Sequence, residues 1–238
     1  MKAVYPTQIY PFLQYLNRNE EIHAGENRIL DCGAGGKVPA LGLFYEHGFT
    51  TAGIDISAEQ IALAETFERE HAMHLHIQKG DMRTIPFPEA SFDFVFEIYS
   101  MVHLPKADIK NTLAEMKRVL KPGGLCYVGF MLDECFPLHG KEGNPGEFHE
   151  KEYGQQVVHS IFSRQEAHEY VSDWEILQSI HERRSSPAEV SSMSLEDYEC
   201  YYVENEVAAL SKSEWLQTYP ERAARWQYAH LFFILRKL

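Results

Sequence analysis

The sequence predicts a doubly wound α/β fold, a single domain built on a seven-stranded mixed sheet. Three observations carry that prediction. Strand-like and helix-like segments alternate through the first 132 residues, and strands alternating with helices of this length form an open parallel sheet covered on both faces. The runs FDFVFEIY (92–99) and LCYVGFML (125–132) are near-continuously apolar, as strands buried on both sides must be. Two further strand candidates follow, and the last of them, AHLFFILRK (229–237), is expected to insert antiparallel.

Taken in order, residues 1–27 read as an N-terminal helical cap, and RILDC (28–32) as a short strand closed by glycines. A helix over about 39–46 leads to a second strand, TAGIDI (51–56). Ser57 followed by Gln60 is a capping box for a helix in which Ile61, Ala64 and Phe67 share a face. MHLHIQK (73–79) is the third strand candidate and residues 92–99 the fourth. Residues 107–120 place Ile109, Leu113, Met116 and Leu120 on one stripe and stop at Lys121-Pro122-Gly123-Gly124. After strand 125–132 the pattern loosens. Residues 133–156 carry two prolines and four glycines and read as a long loop, which in a compact domain is usually functional or mobile. Its Phe136, His139, Phe148 and Tyr153 are candidates for a lid, while Tyr5, Tyr10, Phe12 and Tyr15 near the N-terminus either fold over the cofactor mouth or dock the N-terminal helix. Ser163 caps a helix (SRQEAHEYV), and WEILQSIH (174–181) is a sixth strand. A polar linker (185–194) and helices over 195–210 and 221–228 decorate the C-terminal half before the final strand. The organisation is a cap (1–27), a ligand-binding half (28–132) and a substrate-side half (133–238).

The chain has 238 residues, 45% of them apolar, enough for a sizeable core, and a formal net charge of −13. Nucleic-acid affinity comes from Lys and Arg neutralising phosphates, so this balance argues against such a partner. The apolar stretches are far shorter than the roughly 20 residues of a membrane span, and the N-terminus has no apolar signal core. Cys32, Cys126, Cys135 and Cys200 form no C-x-x-C pair and read as reduced thiols. His71, His74 and His76 lack further ligands at a metal-binding spacing, and the expectation is no metal. A cytoplasmic protein is expected; the sequence does not speak to its oligomeric state.

The informative segment is ILDCGAGG (29–36), a strand running into a glycine turn and then a helix. Glycines there let backbone approach a ligand closely, and free N–H groups at a helix start suit an anionic group. Asp55 ends the next strand, and its two acceptor oxygens match the two donors of a ribose diol. Together they point to an adenosine-containing cofactor. A dinucleotide fingerprint requires a small residue where Val38 stands, and Asp31 would repel a pyrophosphate yet attract a cationic amino-acid head. A nicotinamide-dependent oxidoreductase is therefore the disfavoured alternative.

Four motifs in order, ILDCGAGG (29–36), AGIDIS (52–57), GDMRTIPFPEASFDFVFEIYSMVHL (80–104) and EMKRVLKPGGLCYVGFM (115–131), resemble the class I S-adenosylmethionine-dependent methyltransferases of Rossmann-like fold. The likeness is to the small-molecule type, similar to the ubiquinone- and menaquinone-biosynthesis enzymes, and covers roughly the first 130 residues. It implies S-adenosylmethionine as cofactor and S-adenosylhomocysteine as product. It also implies that Gly33 and Gly35 lie against the methionyl part with Asp31 near the ammonium, and that Asp55 holds the ribose while Ile56 packs on adenine. Asp81 and Met82 would meet the adenine, and Glu97 would face the methionyl side. The rival readings make Asp81 a turn residue and Glu97 a solvated carboxylate at a sheet edge.

Methyl transfer from a sulfonium is an in-line displacement governed by alignment and desolvation. A base is needed only where the acceptor must first lose a proton, and His103 is the candidate. The segment Glu97–Leu104 lacks the N-P-P-Y-like tetrapeptide that the resemblance would associate with nitrogen methylation of bases or amides. Tyr10, Tyr99, His103 and Phe136 are the acceptor-pocket candidates. The expected partner is a small-molecule acceptor, with a non-catalytic cofactor-binding protein as the further alternative.

Overall fold

The computed structural model describes residues 3–19, 22, 24–135, 141–152, 155–185 and 227–238. The expected helix over 195–210, most of that over 221–228, and Phe136, His139, Tyr153 and Cys200 lie outside them.

Seven strands form one sheet: β1 (Arg28–Cys32), β2 (Thr50–Asp55), β3 (Ile77–Lys79), β4 (Phe92–Phe96), β5 (Leu120–Met131), β9 (Glu175–Ser185) and β10 (Gln227–Arg236), in the order β3-β2-β1-β4-β5-β10-β9. The first five run parallel, and β10 inserts antiparallel between β5 and β9. Helices α1 (Tyr10–Arg18), α2 (Leu41–Glu46), α3 (Ala58–His71), α4 (Lys106–Val119) and α5 (Arg164–Tyr170) surround it. A separate antiparallel sheet joins β6 (Lys141–Glu142), β7 (Glu147–Glu152) and β8 (Gln155–Ser160).

Strand alternation divides the core into two layers, because successive side chains leave opposite faces of a strand. Ile29, Phe94, Phe96, Tyr127, Phe232 and Ile234 pack with α1 and α2 on one face. Leu30, Val95, Cys126, Val128, Leu231 and Phe233 pack with α4 on the other. Phe12 of α1 stacks on Tyr127 at 5.2 Å between centroids, and Tyr127 stacks on Phe232 at 5.4 Å. The Tyr127 hydroxyl donates to the Gln8 carbonyl at 2.7 Å, which satisfies the polar end of an otherwise buried ring. Tyr5 is also buried. The N-terminal aromatics Tyr5 and Phe12 therefore dock the cap into the core and are unavailable as a lid.

Several sequence expectations change. Residues 133–156 do not form a plain loop. Lys141–Glu142 and Glu147–Glu152 form β6 and β7, and Gln155 begins β8, because EFHEKE and QQVVHS pair in continuous register from Glu147↔Ser160 to Glu152↔Gln155. The third strand shortens to Ile77–Lys79, so His74 and His76 precede it, and His76 has a positive φ of 59°. The fourth strand ends at Phe96, which frees 97–99 to turn. β5 starts at Leu120, directly after α4, and Gly123 at φ 75° lets the chain pass the Lys-Pro-Gly-Gly segment within the strand. Gln227 and Tyr228 belong to β10 and not to a helix.

Candidate active site

The parallel strands all end on one edge of the sheet, where open α/β folds bind ligands. Three carboxyl groups converge there. Asp31, the fourth residue of β1, is buried; burial first, then the nearby Glu97 and Asp55, push its pKa well above the usual carboxylate range. Glu97 follows β4 and is fully buried, with its pKa pushed up to about 7 by desolvation. It is not the solvated edge carboxylate of the rival reading. Its Oε1 accepts from the Gly129 amide at 2.9 Å, and its Oε2 from the Ser100 and Met101 amides at 3.1 and 3.0 Å. Glu97 thus fastens the turn after β4 to β5, while its charge stays short of compensation.

The glycine turn is built around Asp55. Asp55 Oδ2 accepts the Gly35 amide at 2.9 Å and Oδ1 the Ser57 amide at 2.8 Å. A side chain on Gly35 would strike that carboxylate, and one on Gly33 would strike the Ser100 hydroxyl. Gly33 also sits at φ 122°, where any L side chain is strained. Ser57 caps α3 as its sequence indicated, its hydroxyl accepting the Gln60 amide at 3.3 Å. Ile56 beside it is 60% exposed, an apolar surface open for a planar ligand to cover.

Asp81 and Met82 follow β3. The Asp81 carboxylate is engaged by Arg83, whose Nη2 lies 2.7 Å from Oδ2, and Arg83 also reaches Asp108 of α4 at 3.0 Å. The Arg83 guanidinium lowers the Asp81 pKa. A ligand amine would share this carboxylate with Arg83. The Met82 methyl points at the Gly33 turn. Val38 is 39% exposed and precedes α2, so it does not occupy a helix–sheet contact. The case against a dinucleotide therefore rests on the three carboxyls.

Of the acceptor-pocket candidates, Tyr10 begins α1 at 36% exposure. Tyr99, in contrast, holds a positive φ of 63°, an uncommon state for an aromatic residue. Its ring meets His230 edge-on at 4.6 Å, and its hydroxyl accepts from Arg184 Nη2 at 2.6 Å. Arg184 Nε also donates to Glu182 at 2.9 Å. Burial, with Arg184 second, lowers the His230 pKa to about 4. Sequence reading missed Ser100, which the Glu97 carboxylate holds in the turn after β4, and also Arg184 and His230, since only the pairing of β9 with β10 brings 182–184 and 227–230 to this edge. His103 ends a 3-10 turn at Met101–His103 and is exposed. Protein packed around its ring, then His159, lowers its pKa to about 4.

The sheet order is that of a Rossmann-like fold of the class I methyltransferase type. Solved structures with that shape include an S-adenosylmethionine-dependent methyltransferase from Methanosarcina mazei, 20% identical, with a TM-score of 0.64 over 96% of this chain and 98% of that one. A geranyl diphosphate methyltransferase in complex with S-adenosylmethionine, 15% identical, gives 0.56 over 97% and 84%. Residues 30–128 match the family model described as a methyltransferase domain. A sterol 24-C-methyltransferase of Pneumocystis carinii is 32% identical over 158 residues, 63% of this chain and 40% of that protein. A 27-O-demethylrifamycin SV methyltransferase of Amycolatopsis mediterranei is 31% identical over 113 residues, 47% of this chain and 40% of that protein. The matched segments are therefore less than half the length of these relatives. Over residues 30–128 the chain is similar to methyltransferase domains, and its fold is that of solved S-adenosylmethionine-dependent methyltransferases. Among the described residues, no helix is long and apolar enough to cross a membrane.

Proposed function

We propose that this protein transfers a methyl group from S-adenosylmethionine to a small-molecule acceptor. The observation that carries the reading is the convergence of Asp31, Asp55 and Glu97 on the Gly33–Gly35 turn. Three clustered carboxyls repel one another, and a ligand bearing an ammonium and a sulfonium relieves that repulsion where a pyrophosphate would add to it. In this reading Asp31 faces the ammonium and Asp55 the ribose hydroxyls. Gly33 and Gly35 give the methionyl chain close access, Ile56 and Met82 cover the adenine, and Asp81 receives its amino group. Glu97 acts mainly through the backbone: it holds the Ser100 and Met101 amides and so fixes Ser100 beside Gly33. When bound, the cofactor supplies an activated methyl on a neutral leaving group. The chain's own task is to align the acceptor and exclude water, and good alignment supplies roughly 7–11 kcal/mol. Tyr99, Arg184 and His230 wall the acceptor side, and the relatives named for sterol and rifamycin methylation support an organic small molecule as acceptor.

Calorimetric titration tests the cofactor assignment. S-adenosylmethionine and S-adenosylhomocysteine are expected to bind, and NAD is not. Binding of NAD in preference to both would refute the reading.

A further inference from the structure

A strand from the C-terminal half of the chain reaches the glycine turn through one side chain. Tyr99 lies between Glu97, whose carboxylate accepts the Ser100 and Met101 amides, and Ser100, whose hydroxyl fills the place a Gly33 side chain would take. Its φ of 63° is left-handed, a state that costs any residue with a Cβ. Such a residue persists there only when its surroundings hold it. What holds Tyr99 comes from β9 and β10. Arg184 Nη2 donates to its hydroxyl at 2.6 Å, and the His230 and Phe232 rings meet its ring edge-on at 4.6 and 5.9 Å. In the β9–β10 ladder Glu182 faces His230, Ile180 faces Phe232 and Arg184 faces Tyr228, so Glu182, Arg184, His230 and Phe232 stand on one face. Arg184 is itself fixed on that face. Its Nε donates to Glu182 Oε1 at 2.9 Å, and the same oxygen accepts from the buried Gln8 side-chain amide at 2.9 Å. The N-terminal cap, the β9–β10 hairpin and the turn after β4 therefore share one hydrogen-bonded chain that ends at Tyr99, next to Ser100.

We propose that Arg184 is a positioning residue for the cofactor site: by clasping the Tyr99 hydroxyl it keeps residue 99 left-handed and so seats Ser100 against the Gly33 turn. The inference rests on the methyl-transfer reading above. A planar guanidinium suits the task, because its fork donates to Glu182 through Nε and to Tyr99 through Nη2 at once. Loss of the clasp lets residue 99 relax toward ordinary φ values, which turns the 99–100 peptide and moves the Ser100 hydroxyl off Gly33. The glycine turn then loses one of its walls, and the methionyl part of the cofactor loses the surface that Gly33 was shaped to share with Ser100.

Calorimetry and NMR on the full chain test this. Tyr99→Phe keeps the ring and removes only the hydroxyl, while Arg184→Met keeps the stem and removes the donors. Each should weaken S-adenosylhomocysteine binding about 5- to 30-fold, the equivalent of one residue's left-handed strain. The double variant should lose no more than either single one, because both break the same contact. Arg184→Lys, which retains a donor, should recover part of the affinity. Arg236→Met breaks an ion pair with Glu175 at the opposite end of the same hairpin and should leave the affinity unchanged. A loss there equal to that of Arg184→Met would mark a general loosening of the hairpin and overturn the inference. In the ligand-free protein the Gly33 amide signal should shift in Arg184→Met, and the Gly123 signal near the start of β5 should not. Unchanged affinity in folded Tyr99→Phe, losses that add in the double variant, or a Gly33 signal that stays in place overturns the inference while leaving methyl transfer intact. A wild type that binds neither S-adenosylmethionine nor S-adenosylhomocysteine refutes the broader reading instead, and the Gly33 signal still decides the clasp.

Discussion

Each oxygen of the Asp55 carboxylate already accepts a backbone amide, one from Gly35 and one from Ser57, so this side chain shapes the turn, and in the proposed reading it also presents charge to a ribose. Hydrogen bonds to charged groups are worth about 1.5–3 kcal/mol, and Asp55→Ala is expected to weaken S-adenosylmethionine binding roughly 10- to 150-fold. Calorimetry on the folded variant checks it; unchanged affinity would remove Asp55 from the site. Glu97 makes a pH prediction. Its folded pKa of about 7 lies above the ordinary 4.5, so the folded state holds the proton more tightly than the unfolded chain does. The resulting stabilisation is complete below about pH 4.5 and is lost as pH rises through about 7. Its size is about 3 kcal/mol at most. Asp31 shifts in the same direction. Between pH 5 and 6.5 the lowered pKa values of His230 and His103 oppose this trend, so the melting temperature of the ligand-free protein should fall from pH 6.5 to pH 8, and Glu97→Gln should flatten that slope. A melting temperature that rises over this range would show that the two carboxyls are not strained as described.

At the scale of elements, the small sheet β6-β7-β8 separates a mobile lid from a fixed wall. Its strands are paired along their length and tied to the turn after β4 through Ser160, and to the start of α4 through Glu147. Amides in β7 and β8 should exchange slowly with or without ligand; fast exchange of both strands in the free protein would restore the lid expected from the sequence. Ser163 accepts the Glu166 amide at 3.1 Å as the cap of α5. Ser163→Ala should cost about 1 kcal/mol and lower the melting temperature by about 2–4 °C. Caps, the glycine turn and the parallel strands were legible because each is written in neighbouring residues: Ser57 with Gln60, Gly33 with Gly35, Ile29 to Cys32. The small sheet was not. Its prolines and glycines read as a loop, and its buried Glu147 and Glu150 hide the period-2 apolar signal that marks a strand. Contacts such as Tyr99 with Arg184 or His103 with His159 depend on strand pairing, which no local window contains.

At the scale of the whole molecule, a net charge of −13 favours a cationic cofactor and disfavours polyanionic acceptors. The acids at the sheet edge sharpen the same preference locally, so the affinity for S-adenosylmethionine should increase as they ionise between pH 6 and 8. The central claim is that the chain moves a methyl group to a small molecule. Its most direct test is incubation of the wild-type protein with methyl-labelled S-adenosylmethionine and a mixture of small organic acceptors, with label and S-adenosylhomocysteine both quantified. Label entering a small-molecule product in equal amount to the S-adenosylhomocysteine formed is the expected result. Bound cofactor whose label never leaves it, or label that appears only in added nucleic acid, would contradict the account.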